Sequence, residues 1–248
     1  MNQLVVNNLT KKYISKEKEI TVLDNISFTI NSGEFVCILG HSGCGKTTLL
    51  RILGGFDNLF SGTVLYDDTK ITKPKMKYAM VFQDSNQLLP WKTAFQNIIY
   101  PIKINNSTGN KDCENEANKY LEMVGLKEYK NYYPNQLSSG MKQRIAIARA
   151  LAMKPEVILM DEPFSSLDAQ TRAKLHKEII NIWKKLNITF IFVTHDISEA
   201  IHLSTRVLML SEIPAKIEFD LTNPVKGEKK ANDEGYLEFW ELLNDSIS

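Results

Sequence analysis

Residues 34–53 read EFVCILGHSGCGKTTLLRIL, and this stretch decides the fold. Phe35 to Leu39 is a short unbroken apolar run, the pattern of a parallel strand covered on both faces. From Lys46 onward, KTTLLRILGGF reads as a helix. Between strand and helix, Gly40, His41, Ser42, Gly43, Cys44, Gly45, Lys46 and Thr47 fit G-x-x-x-x-G-K-[ST], with Thr48 next. Glycines let the backbone curl tightly around phosphate oxygens with its N–H groups turned inward. The N-terminus of the helix adds partial positive charge. Lys46 brings a full charge to the β- and γ-phosphates, and the Thr47 hydroxyl can ligate Mg²⁺. The reading is a phosphate-binding loop on an α/β scaffold.

Further along, VILMDE is a second apolar strand, and it ends in Asp161 and Glu162. Open α/β sheets bind ligands beyond the carboxyl ends of their strands. Paired carboxylates there are costly unless a cation or a reaction uses them. Asp161 suits the Mg²⁺ side, and Glu162 suits the orientation or deprotonation of attacking water. His195 ends a third buried run, TFIFVTH, where an imidazole can face phosphate.

The rest of the chain fits one soluble domain with an insertion. Of its 248 residues, 43% are hydrophobic and 24% charged, and the net charge of +1 draws in neither nucleic acid nor anionic lipid. Cys37, Cys44 and Cys113 are too few and too irregular for a disulfide framework or a zinc site, which fits a reducing cytosol. No apolar run approaches the roughly 18 residues that span a bilayer. The start lacks a signal-peptide pattern, so any membrane role runs through a partner.

Residues 4–36 read as β structure, GTVLYDD and YAMVFQ as further strands. Thr93 with Gln96 is a capping-box pair that starts a helix near Ala94. Residues 112–124 carry an amphipathic helix ended by Gly125, and Met141, Ile145, Ala148 and Ala152 form a further helical stripe. A helix spans about 169–186. The tail, 214–248, holds a β-like piece, the polar stretch NPVKGEKKANDEG and a last helix.

This ensemble resembles the nucleotide-binding subunit of ATP-binding cassette (ABC) transporters, from about Leu4 to about Leu210. GHSGCGKTT is similar to the family's Walker A loop and VILMDE to its Walker B strand with the catalytic glutamate. LSSGMKQ (137–143) resembles the signature loop, SSLD (Ser165 to Asp168) the D-loop, and His195 the switch histidine. Gln83 in VFQD resembles the Q-loop and Tyr13 the aromatic A-loop. The signature departs from the family pattern at its first glycine, which is Ser139 here; serine is small and can still open a helix.

The resemblance implies a P-loop NTPase core with an antiparallel β-subdomain, an inserted α-helical subdomain at about 86–153 and a C-terminal extension at about 214–248, all in one ABC ATPase domain over 1–248. It implies ATP and Mg²⁺ as cofactors. Glu162, His195, Lys46 and Gln83 would serve catalysis, and Thr47, Gln83 and Asp161 would hold the metal. Residues Gly40 to Thr48 would hold phosphate. Tyr13 would stack on adenine, or be an ordinary strand-end tyrosine. Ser138 and Gly140 would reach the γ-phosphate held by a second copy in a head-to-tail homodimer, with Asp168 coupling the two sites.

LLPW, just past the Q-loop, resembles importers of the nitrate, sulfonate and taurine group, which includes carriers of thiamine-precursor pyrimidines. In that group Leu88, Leu89 and Trp91 would seat the coupling helix of an integral-membrane permease; packing inside the helical subdomain is the other reading. The implied place is peripheral, on the cytoplasmic face of the cell membrane. An extracytoplasmic solute-binding protein is an indirect partner, and nucleic acid is not one. A soluble ABC ATPase acting in translation or DNA repair is the alternative. Cys44, within the phosphate loop, is expected to be open to alkylation and protected by ATP.

Overall fold

The computed structural model describes residues 3–14, 18–105, 110–165, 167–225 and 234–247. In chain order the elements are β1 (Gln3–Ile14), β2 (Glu19–Asn31), β3 (Phe35–Leu39), α1 (Lys46–Leu53), β4 (Ser61–Tyr66), β5 (Thr69–Lys70), β6 (Tyr78–Val81), α2 (Ala94–Asn105), α3 (Asn110–Met123), α4 (Ser139–Leu151), β7 (Val157–Asp161), α5 (Ala169–Leu186), β8 (Thr189–Thr194), α6 (Ile197–Leu203), β9 (Arg206–Leu210), β10 (Ile217–Thr222) and α7 (Glu234–Ile247). They group into two compact units. One comprises the described residues up to Lys75 and from Asn187 onward, the other Met76–Leu186.

The first unit carries an antiparallel sheet in the order β2-β1-β4-β5 and a run of strands in the order β10-β9-β3-β8. In the second group β3 lies parallel to both β8 and β9, while β10 is antiparallel to β9. Strands β3 and β8 are buried along their whole length, as the unbroken apolar runs required. Phe35 pairs with Phe190 in the ladder, and their rings stack at 5.1 Å. At the far end of that ladder Leu39 pairs with Thr194. The next residues, Gly40 and His195, therefore leave adjacent strands at the same carboxyl edge. Helix α7 seats Tyr236, Phe239 and Leu243 in the core, with the Tyr236 ring 5.4 Å from that of His202 on α6.

The second unit pairs β6 with β7 in parallel, from Tyr78 beside Val157 to Val81 beside Met160. Helices α2, α3 and α4 pack against one another around Ile98, Ala117, Leu121 and Ile145, all fully buried. Helix α2 begins where the capping pair placed it. The Thr93 amide donates to Gln96 Oε1 at 3.0 Å, and the Gln96 amide donates to Thr93 Oγ1 at 3.2 Å. Helix α3 ends at Met123, before Gly125 with its φ of 67°.

Three elements have no counterpart in the pattern reading: β5, α6 and β9. At two and seven residues β5 and α6 offer too few positions for a period to emerge, whereas β9 is an apolar run, RVLML, as long as β3 and was overlooked. Most of the polar tail stretch lies outside the described residues.

Candidate functional site

The phosphate loop joins β3 to α1 as the sequence required. Gly45 occupies the N-cap position of α1 with φ 108°, a conformation open to glycine and strained for other residues. A Cβ there would also stand 2.8 Å from Val22 Cγ1, so β2 runs against the back of the loop. Lys46 is buried, and its ammonium donates to the carbonyls of Gly40 and His41, each at 2.7 Å. The charge is thus stored over the mouth of its own loop. His41, Ser42, Gly43 and Thr47 are exposed, whereas Cys44 is buried.

His195 is exposed and stands between two anchored neighbours. Thr194 is buried, and its hydroxyl donates to Glu199 Oε2 at 2.6 Å. The Asp196 carboxylate caps α6 by accepting from the amides of Ser198 and Glu199. Backbone on both sides of the imidazole is therefore held.

In the second unit Asp161, buried, is the last residue of β7. Glu162 follows with φ 40°, a left-handed conformation that is unfavourable for glutamate. Strain of this kind persists where the surroundings impose it, and it clusters at reactive sites. Because β6 and β7 run parallel in register, Gln83 emerges at the same edge as Glu162. Ser165 links them: Gln83 Nε2 donates to its hydroxyl oxygen at 3.2 Å, and that hydroxyl donates to the Glu162 carbonyl at 3.1 Å. Gln87 pins the turn between, donating to the carbonyls of Phe82 and Asp84.

Helix α4 begins at Ser139, two residues before its apolar stripe. Ser138 is the N-cap, and its Oγ accepts from the Met141 amide at 3.3 Å. The hydroxyl proton still has a direction of its own and can point at an acceptor outside the helix. Gly140 sits in the first turn, where amides lack helical partners. Asp168 caps α5 in the same manner. Its carboxylate accepts from the Thr171 amide at 2.9 Å, and donors from the Thr171 backbone and hydroxyl hold its pKa below the ordinary carboxylate value.

Among the described residues no group of three or more His, Cys, Asp and Glu side chains could cage a metal. Thr47, Gln83 and Asp161 offer hard oxygen donors, which suit Mg²⁺ arriving with phosphates rather than a dedicated protein cage.

Residues 23–165 match the family model described as ABC transporter. The chain belongs to the ABC transporter family. It is 42% identical over 232 residues to the aliphatic sulfonates import ATP-binding protein SsuB of Bacillus cereus, covering 93% of this chain and 90% of that protein. It is 41% identical over 227 residues to the nitrate import ATP-binding protein NrtD of Synechocystis, covering 92% and 85%. Among solved structures, the dimeric post-hydrolysis state of the ATP-binding cassette MJ0796 bound to ADP and Pi superposes with a TM-score of 0.79. That pair is 33% identical and covers 90% of this chain and all of that one.

Membership gives the local geometry of this ABC cassette a frame. In its signature turn the family's first glycine is Ser139, which lies in the helix, exposed, with no positive φ. A side chain costs nothing there. At Gly140 a Cβ would stand 2.9 Å from Thr171 Cγ2 on α5. Only the second position is closed to side chains, so the departure at Ser139 leaves the turn intact.

Of the two readings left open for the LLPW residues, Leu88 takes the inward one: it is buried and packs inside its own unit. Trp91 remains 69% exposed. Cys44 was expected to be open to alkylation, but its side chain is buried and its sulfur lies against Gly40, 2.9 Å from where a Cβ would stand. Thiol reagents should therefore react with it far more slowly than with an exposed cysteine, with or without ATP. Rapid stoichiometric labelling of Cys44 under native conditions would contradict this.

Sequence reasoning overlooked Asn97. Its fully buried amide accepts from the Leu89 amide and donates to the carbonyls of Leu89, Lys92 and Thr93, which fastens the LLPW loop onto α2. A polar residue on the buried face of an amphipathic helix was the available signal.

Proposed function

We propose that this chain is the ATP-hydrolysing subunit of a membrane importer for a small anionic solute of the sulfonate or nitrate kind. The observation that carries the reading is the near full-length similarity to import ATP-binding proteins for those two solutes. Both are small oxyanions, which favours them over a thiamine-precursor pyrimidine. A soluble cassette acting on nucleic acid is not favoured.

In this reading residues Gly40 to Thr48 cradle the triphosphate. Lys46 transfers its hydrogen bonds from the Gly40 and His41 carbonyls to the β- and γ-phosphates. Thr47 and Asp161, with Gln83, would hold Mg²⁺, whose chemistry there is to neutralise charge on the phosphate oxygens. Glu162 orients and deprotonates the attacking water, and His195 steadies the γ-phosphate. Ser138 and Gly140 donate to the γ-phosphate held by a second copy. ATP then closes a head-to-tail homodimer, and loss of the γ-phosphate releases it. The Gln83–Ser165–Glu162 hydrogen-bond chain supplies a route by which the Q-loop registers that loss.

Among the described residues no helix is long and apolar enough to cross a membrane. In this reading coupling runs through permease subunits, with Trp91 as their contact at the cytoplasmic face, as the import ATP-binding relatives suggest. The test is co-expression with a candidate permease and solute-binding protein, followed by ATP-driven uptake of alkanesulfonate, nitrate and a pyrimidine in proteoliposomes. Uptake of an oxyanion is expected, and uptake of the pyrimidine alone would overturn the solute class. Trp91→Ala should weaken permease docking by roughly thirtyfold, the scale of an interface hot spot. It should lower transport more than basal hydrolysis, and an unchanged transport rate would remove Trp91 from the contact.

A further inference from the structure

Among the described residues, Lys11 is the most deeply buried lysine that the phosphate chemistry leaves unused: its side chain is only 3% exposed. It lies in β1, two residues before Tyr13, so strand alternation puts the two side chains on one face. The Lys11 ammonium stands 2.8 Å from Asp57 Oδ2 and 2.9 Å from Asp57 Oδ1, and it donates to the Leu59 carbonyl at 2.9 Å. It also sits over the Tyr13 ring, 4.6 Å from the centroid. Asp57 accepts the Leu59 amide at 3.0 Å as well. Burial alone would push the Asp57 carboxyl up, but the hydrogen bonds from Lys11 and the Leu59 amide hold it below its ordinary value.

The ring that this ammonium underlies is 46% exposed, and Leu59, fastened to the same ammonium, is 82% exposed. Their location is set by β2. Tyr13 pairs with Ile20 across the hairpin, and Val22, two residues on, is the side chain that abuts Gly45 of the phosphate loop. Two residues of strand span about 7 Å, so the ring stands within a base's reach of the loop. A buried cation is costly without a purpose, and an apolar residue would fill the same space more cheaply. What it does here is fix one ring face and draw electron density toward that face, which makes the ring a better stacking partner for an electron-rich purine.

We propose that Lys11 is a positioning residue for nucleotide base recognition, holding and polarising Tyr13 as the platform on which adenine stacks, with Asp57 as its anchor. The proposal rests on reading Tyr13 as the base-stacking residue. Lys11 touches no phosphate in this scheme, so its effect must vanish for a ligand without a base.

The test is calorimetric titration of the full chain with ATP and with inorganic triphosphate. Tyr13→Ala probes the underlying reading and should weaken ATP roughly tenfold while leaving triphosphate unchanged. The paired variant K11M/D57N removes both charges and so leaves no orphaned carboxylate. It should weaken ATP roughly three- to tenfold, again sparing triphosphate. K11R, which keeps a cation over the ring, should stay within about twofold of wild type. In a Tyr13→Ala background the paired variant should add nothing further. If Tyr13→Ala has no effect on ATP, the base-stacking reading fails and takes the proposal with it. If Tyr13→Ala acts but K11M/D57N leaves ATP affinity intact, or weakens ATP and triphosphate equally, the role of Lys11 alone is overturned.

Discussion

Glu162→Gln is expected to bind ATP with nearly wild-type affinity, to hydrolyse it at least about a hundredfold more slowly, and to accumulate as an ATP-bound dimer. The exchange is close to isosteric. Glutamine occupies the same volume at the end of β7 and faces the same left-handed backbone, φ 40°, so the fold around Asp161 is preserved. What disappears is the carboxylate that, in the proposed mechanism, takes the proton from attacking water. ATP binding draws on Lys46 and the loop amides, none of which the exchange touches. The γ-phosphate would then persist, and with it the contacts proposed for Ser138 and Gly140 of the second copy. Turnover measured by phosphate release, and mass measured by light scattering with and without ATP, check both halves. Ordinary ATPase activity would remove Glu162 from its role, and a nucleotide-saturated variant that stayed monomeric would break the shared-phosphate picture.

Lys46→Ala is expected to lose ATP affinity by roughly a hundredfold or more. Two charge-assisted hydrogen bonds to phosphate are at stake, each worth about 1.5–3 kcal/mol. The stored geometry makes the loss specific. Lys46 already holds its charge against the Gly40 and His41 carbonyls, so binding exchanges two short protein bonds for two phosphate bonds and orders no floppy side chain. Lys46→Arg should not rescue, because a planar fork cannot take the place of a compact ammonium inside a loop closed by Gly45. Calorimetric titration with ATP decides this; near-wild-type affinity in Lys46→Ala would refute the cradle.

The two variants separate what the sequence showed well from what it showed poorly. Lys46, Gly45 and Thr47 are identified by spacing within a few residues, and the strand–loop–helix geometry appeared as expected. The capping pair at Thr93 and Gln96 was equally plain, because both partners lie within one helical turn. Glu162 was recognisable as a strand-end carboxylate, but its strained backbone was not, since φ is not a property of residue type. Ser165 was visible as the start of SSLD, but its hydrogen-bond link from Gln83 to Glu162 was not. Glu162 is three residues away, but Gln83 follows a different strand and is 82 residues distant.

Local order, then, was determined by the sequence alone: which residues form the glycine loop between β3 and α1, where α2 starts, which strands are buried on both faces, and that Asp161 and Glu162 close one of them. These follow from hydrogen bonds and periodicities confined to neighbouring residues. Only the tertiary structure decided that Gly140 excludes a side chain while Ser139 does not, because Thr171 on another helix fills the space. It alone decided that Leu88 turns inward while Trp91 stays out, and that Lys11 finds Asp57 and the face of Tyr13. Each of those outcomes depends on atoms brought together from distant parts of the chain, and no local pattern encodes the distance between them.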